Sequence, residues 1–154
     1  MNLRTLTLIL IGLTFALTPA AVNAQGRHPA YLRARSDMRR AQFLLRVPEE
    51  PNVTHRLIEA DREVEAAVGE IDRAAVLDGK NIDEHPPVDT RIDRRGRFHK
   101  IVELLRSARA DIGREEDNGR ANAWRDAAYR HLDQALEHVH RAAVDLHWDH
   151  ELGF

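Results

Sequence analysis

His85, Asp89 and His99 are the residues whose types best suit a chemical task, because neutral imidazole and carboxylate groups are ligands for Zn, Cu or Ni. His28 and His147 are expected to supplement them. No HxxxH or HExxH spacing is present, so these ligands have to be brought together by the fold rather than by one helical turn. A second arrangement is Met/His ligation of a b-type haem inside a helical bundle, for which Met38 and His138 are the pair. Glu137-x-x-His140 matches one half of a di-iron carboxylate motif, but no second Glu-x-x-His occurs in the chain. The acidic run Glu115-Glu116-Asp117 lacks the alternate-residue spacing of a calcium loop and reads as capping for the helix after it. Ser36 and Ser107 fall inside predicted helices and cysteine is absent, so no nucleophile constellation is visible and an enzyme is not expected.

Four helices have to position these groups. Apolar residues at alternating spacings of three and four predict helices at about 29–46, 52–77, 96–112 and 118–147. The first seam is Tyr31, Ala34, Met38, Ala41 and Leu45, and the second Leu57, Ala60, Val64, Ala67, Ile71 and Ala74. The third is Phe98, Ile101, Leu105, Ala108 and Ile112, and the fourth runs from Ala121 and Trp124 through Leu132 and Val139 to Leu146. Val47-Pro48-Glu49-Glu50-Pro51 breaks the first pair, Asn52 or Thr54 can cap the second helix, and Gly113 stops the third.

Short connections at 47–51 and 113–118 predict an all-α fold, an up-down-up-down antiparallel four-helix bundle with a long helix 2 to helix 3 loop. That loop, Asp78 to Arg95, carries the Pro86-Pro87 pair, His85 and several carboxylates, and long connections in small domains are commonly functional. In the expected topology one end of the bundle gathers His28, His85, Asp89, His99, His147, Asp149 and His150. His131 and His138 flank the last seam and are expected to be half-buried. Arg33, Arg35, Arg39, Arg40 and Arg46 are expected to form a solvated face.

Residues 1–24 have one basic residue, Arg4, an apolar run from Leu6 to Leu17, and Val22-Asn23-Ala24, which predicts a signal peptide cleaved after Ala24. Residues 25–154 are then one exported domain, and a periplasm is its expected address. The absence of cysteine excludes lipid anchoring through cysteine, disulfides and thiol catalysis. Loss of Arg4 with the signal moves the formal charge from −2 to −3, a balance that disfavours nucleic acid as a partner. No later stretch approaches the ~20 apolar residues of a membrane span. The alanine-rich seams suit close packing within one chain or between two copies in a homodimer.

The strings His28-Pro29-Ala30-Tyr31-Leu32, Ser36-Asp37-Met38-Arg39, Asp78-Gly79-Lys80, His85-Pro86-Pro87-Val88-Asp89, Gly96-Arg97-Phe98-His99 and Glu115-Glu116-Asp117-Asn118 together resemble a group of small exported bacterial proteins, all helical and of unassigned function. The resemblance spans most of the mature chain and implies a stand-alone exported domain, with no functional residue to carry over. The combined expectation is a periplasmic binding or interaction protein whose functional end is the 78–95 loop, with transition-metal or haem binding as alternatives.

Overall fold

The computed structural model describes residues 29–77, 91–114, 119 and 121–154. They form α1 (Pro29–Leu45), α2 (Pro51–Leu77), α3 (Arg94–Arg114) and α4 (Asn122–Asp145), with no strand among the described residues. The helix boundaries follow from local chemistry. Pro51 occupies the first turn of α2, where its missing N–H costs nothing, and the Thr54 N–H reaches the Glu50 carbonyl at 2.8 Å. Thr54 therefore does not cap the helix; its hydroxyl accepts from the Glu49 N–H and donates to the Glu49 carbonyl, both at 2.8 Å, and so ties the turn to the helix.

α3 starts two residues earlier than its glycine suggested, because the Asp93 carboxylate accepts the Gly96 N–H at 2.9 Å as an N-cap. At the far end α3 runs past Gly113 to Arg114. A Cβ at Gly113 would stand 2.4 Å from the Tyr129 hydroxyl, so this glycine makes room for α4 rather than ending a helix.

α4 closes in a Schellman motif. His147, with φ 57°, takes the left-handed position, its N–H bonds the Val144 carbonyl at 3.0 Å, and the Trp148 N–H bonds the Ala143 carbonyl at 2.8 Å. The chain then turns back. Leu152 is buried, Trp148 packs edge-on to Phe98 with centroids 5.6 Å apart, and the Gly153 carbonyl accepts from Arg106 at 2.9 Å.

All five seam residues of α1, all six of α2 and all five of α3 are buried. On α4, Trp124 and Leu146 are only half-buried, while Ala128, Leu132, Ala135, Val139 and Ala142 are fully enclosed. Alanine recurs every seventh residue on both α2 (Ala60, Ala67, Ala74) and α4 (Ala121, Ala128, Ala135, Ala142), and these two helices make the most extensive contact in the molecule. Small side chains on facing stripes let the two backbones approach closely. The seams thus pair within one chain.

Ion pairs between helices fix their directions. Arg33 meets Asp111 at 3.2 Å and Arg97 meets Glu49, so α1 and α3 are antiparallel. Arg35 with Asp72 at 2.5 Å and Arg46 with Asp61 at 2.9 Å make α1 and α2 antiparallel. His131 with Glu63 at 2.7 Å and His138 with Glu59 at 3.2 Å do the same for α2 and α4. Arg109 with Asp133 at 2.6 Å and Arg95 with Glu151 at 3.3 Å do so for α3 and α4. α1 faces α2 and α3, α4 faces α2 and α3, and the pairs α1/α4 and α2/α3 are diagonals.

The chain is therefore the all-α four-helix bundle that the periodicity predicts, and its helices run up, down, down, up. This corrects the expected up-down-up-down order. The two short connections do reverse the chain, but α2 ends and α3 begins at opposite ends of the bundle, which is the connectivity of bundles with one long crossover. Length allows it: the 16 residues from 78 to 93 reach roughly 53 Å when extended, against about 40 Å for the 27 residues of α2.

Arginine dominates the cations, since only Lys80 and Lys100 among the 23 basic residues are lysines. Its planar fork suits carboxylates held between helices. Arg35, expected on a solvated face, is 4% exposed against Asp72. Burial lowers the basicity of Arg97, and its carboxylate partner Glu49 is equally enclosed, with both side chains under 10% exposed. Arg46 shifts the other way, its basicity raised chiefly by the hydrogen bond to Asp61.

Candidate functional site

The residues predicted to bind metal separate into two groups. His28, His85 and Asp89 lie outside the described residues. His99, in the second turn of α3, and His147, after α4, are both exposed and share one end of the bundle with the 47–51 turn. His150 and Asp149 are at that end too, their side chains 3.8 Å apart with the imidazole almost wholly in solvent. α1 begins at the other end, so its start does not share an end with His99 and His147, contrary to the expected topology. Among the described residues, no three His, Asp or Glu side chains converge to hold a metal ion. His147 has a backbone role instead, at the left-handed position of the Schellman turn.

Met38 and His138 are likewise not brought together. Met38 is sealed in the core on α1, and α1 and α4 are parallel diagonals rather than antiparallel neighbours. The ion pairs that set the register place Met38 level with residues near 127 of α4, about 15 Å along the axis from His138.

His138 faces α2, where it forms half of a ladder. Glu59 and Glu63, one turn apart on α2, meet His138 and His131, two turns apart on α4, at 3.2 and 2.7 Å through Nδ1. Glu59 also gathers His55 at 3.4 Å and Arg56 at 3.5 Å. The His131–Glu63 contact is a hydrogen bond, which orients that imidazole, whereas His138 Nδ1 and Glu59 Oε2 make no hydrogen bond among the described residues. The expectation of half-buried histidines flanking the seam fits this arrangement. His140, from the lone Glu-x-x-His element, stacks on Phe154 at 4.7 Å and lies 3.8 Å from Glu137.

An apolar concavity lies elsewhere. Where α2 ends and α4 begins, Asp72, Arg73, Val76 and Trp124 line an apolar groove of about 600 Å³. Val76 is 58% exposed, and Trp124, placed in the core seam by spacing alone, is only partly buried against the core. The groove's charges are on its rim and already engaged, Asp72 by Arg35 and Arg73 by Glu70 at 2.6 Å. One signal for it was present in the sequence: Val76 stands off the α2 stripe that runs through Ile71 and Ala74, so a large aliphatic side chain was left without a place in the core.

The C-terminal clasp was not anticipated. Trp148 lies between Arg94 and Arg95, whose guanidinium carbons are 5.4 and 5.3 Å from its ring centroid. Arg94 in turn reaches Glu49 at 2.5 Å. The tail after α4, the start of α3 and the α1/α2 turn are thereby joined into one closed end. No described helix is long and apolar enough to cross a membrane. Compared with known proteins, the chain matches no family model, no curated protein and no solved structure.

Proposed function

We propose that this chain is an exported periplasmic binding protein that acts by non-covalent recognition, and that its contact surface is the end formed by the last turns of α2 and the first turns of α4. The observation that supports this reading is the open apolar groove between Val76 and Trp124. A half-buried tryptophan beside an exposed aliphatic side chain is the kind of surface on which a partner gains most from excluding water. The groove's own rim charges are satisfied within the chain, so the partner contributes apolar side chains rather than a compensating charge. The 78–95 connection departs from this same end, directly after Leu77, which keeps it in the reading as part of the contact surface.

The test is site-specific photo-crosslinking in the exporting cell. A photoreactive residue at Val76 is expected to give one discrete protein adduct. The same residue at Val144, which is also exposed but at the other end of α4, is expected to give none. Equal adducts from both positions, or none from Val76, would overturn the proposal. Elemental and absorption analysis of the native protein covers the two alternatives. Stoichiometric Zn, Cu or Ni that is lost in a His85→Ala plus His99→Ala variant would replace it with metal binding, and a Soret band would replace it with haem binding.

A further inference from the structure

A second concavity lies between α1 and α2, roughly 10 Å along the axis from the Val76 groove. It encloses about 280 Å³ and is lined by Arg39, Gln42, Phe43, Arg46, Glu65 and Val68. Arg33, Arg35 and Arg46 on the same helix each hold a carboxylate of a neighbouring helix. Arg39, midway along that row, holds none among the described residues, and its Nε is buried there without a hydrogen-bond partner. On the opposite wall Glu65 makes no hydrogen bond or ion pair among the described residues, and the nearby cation that acts on it, Arg46, already belongs to Asp61. Phe43 is 54% exposed at the mouth, and Val68 lies behind.

We infer that this pocket binds a small zwitterion with an apolar side chain, the chemistry of a free apolar α-amino acid. The arginine fork matches a carboxylate in a bidentate manner, with the Gln42 amide in reach as a further donor. Glu65 receives the ammonium group, and Phe43 and Val68 form the wall for the side chain. The volume falls just below the usual span for drug-sized ligands, which suits an occupant of amino-acid size. A simple anion would satisfy Arg39 but face Glu65, and a simple cation would do the reverse. Only a molecule carrying both charges answers both walls.

Isothermal titration of the mature chain with leucine, leucinamide and isocaproate tests this. Leucine is expected to bind, while leucinamide, which lacks the carboxylate, and isocaproate, which lacks the ammonium, bind about tenfold more weakly or worse, as loss of one charge-assisted hydrogen bond implies. Arg39→Gln is expected to remove leucine binding, and Glu65→Gln to weaken leucine while leaving isocaproate unchanged or improved. Arg39 makes no ion pair among the described residues, so its variant keeps the wild-type circular dichroism spectrum; if that variant does not fold, the exposed Glu65→Gln decides alone. Absence of heat with leucine at millimolar concentration overturns the inference. So does equal affinity for leucine and isocaproate, which marks a plain carboxylate site, and so does leucine binding unchanged in the variants.

Discussion

Removing the Glu49 side chain is expected to damage this protein more than removing its partner Arg97, although the two belong to one ion pair. Both side chains are nearly closed to solvent, at 6% and 8% exposure. Their surroundings differ. Glu49 has a second cation, Arg94, at 2.5 Å, so Arg97→Met leaves a carboxylate that is still neutralised. Glu49→Ala leaves the Arg97 guanidinium enclosed with no acid beside it and with its Nε already lacking a partner. Breaking a buried pair so that one charge is stranded costs about 3–5 kcal/mol, whereas losing a charge-assisted hydrogen bond with the remaining group still satisfied costs about 1–3 kcal/mol.

For a domain of this length each kcal/mol moves Tm by roughly 3–6 °C, so Glu49→Ala is expected to lower Tm by about 10–30 °C and Arg97→Met by about 3–18 °C, the smaller shift of the two. Glu49→Leu combined with Arg97→Met replaces the pair with apolar volume and is expected to recover most of the loss. Urea and thermal unfolding followed by far-ultraviolet circular dichroism, closed as a double-mutant cycle, measure all three. Equal costs for the two single variants, or a Glu49→Ala cost below about 1 kcal/mol, would refute the reasoning, because the asymmetry rests on Arg94, shared with Glu50, still reaching Glu49 when Arg97 is gone.

Two further outcomes are expected. His147→Gly removes the left-handed strain on a residue with a Cβ and is expected to raise stability by about 1 kcal/mol, measured by urea unfolding, whereas a structural or metal-ligand role for the imidazole would make it destabilising. The Glu50 carboxyl is held below its ordinary value first by its own backbone N–H and then by Arg94, and the Glu137 carboxyl by the hydrogen bond from Arg141. Folded-state values below the unfolded ones contribute stability that is present above the ordinary glutamate value near 4.3 and is lost as pH falls through the lowered values. The urea midpoint should therefore fall only below about pH 4, by a small amount because both groups are exposed, and a midpoint that rises on acidification would contradict these assignments.

What was legible in the sequence followed from contrast. The α2 stripe alternates alanine with large aliphatic residues and is flanked by charges, so the period of 3.6 stands out, and every residue assigned to it is buried. Helix starts were less legible because the capping groups sit outside the periodic region: Asp93 caps α3 from within the long connection, and Thr54 resembles a cap while serving the turn before it. Arg97 and Asp111 were passed over for another reason. They extend the α3 stripe Ile101, Leu104, Ala108 at the correct spacing, yet as charged residues they read as helix ends, although both are buried. The expectation that the starts of α1 and α3 and the end of α4 share one bundle end failed on direction. A long connection permits α3 to run either way, and the choice moves its start to the other end of the bundle, away from the start of α1.

That choice can be traced to the same two charges. An up-down-up-down bundle and the observed one both make every adjacent pair antiparallel, so helix dipoles do not separate them. The ends of α3 do. As folded, Arg97 stands at the end that holds Glu49, and Asp111 at the end that holds Arg33. With α3 reversed and diagonal to α1, Arg97 would share an end with Arg33 instead of Glu49, and Asp111 with Glu49 instead of Arg33, so both buried charges would lose their opposite partners. Each misplaced buried charge costs several kcal/mol, enough to decide between two otherwise similar packings. Exchanging the charges, Arg97→Asp with Asp111→Arg, is therefore expected to remove the bias. The chain has no cysteine, so spin labels on cysteines introduced at Leu32 and Arg114, both exposed and at one end, report the direction of α3. The parent chain is expected to give a single short distance, and the exchanged variant a second component roughly 25 Å longer or a large loss of stability. An exchanged variant with the parent's single short distance and unchanged unfolding free energy would show that packing of the alanine stripes, and not these charges, selects the topology.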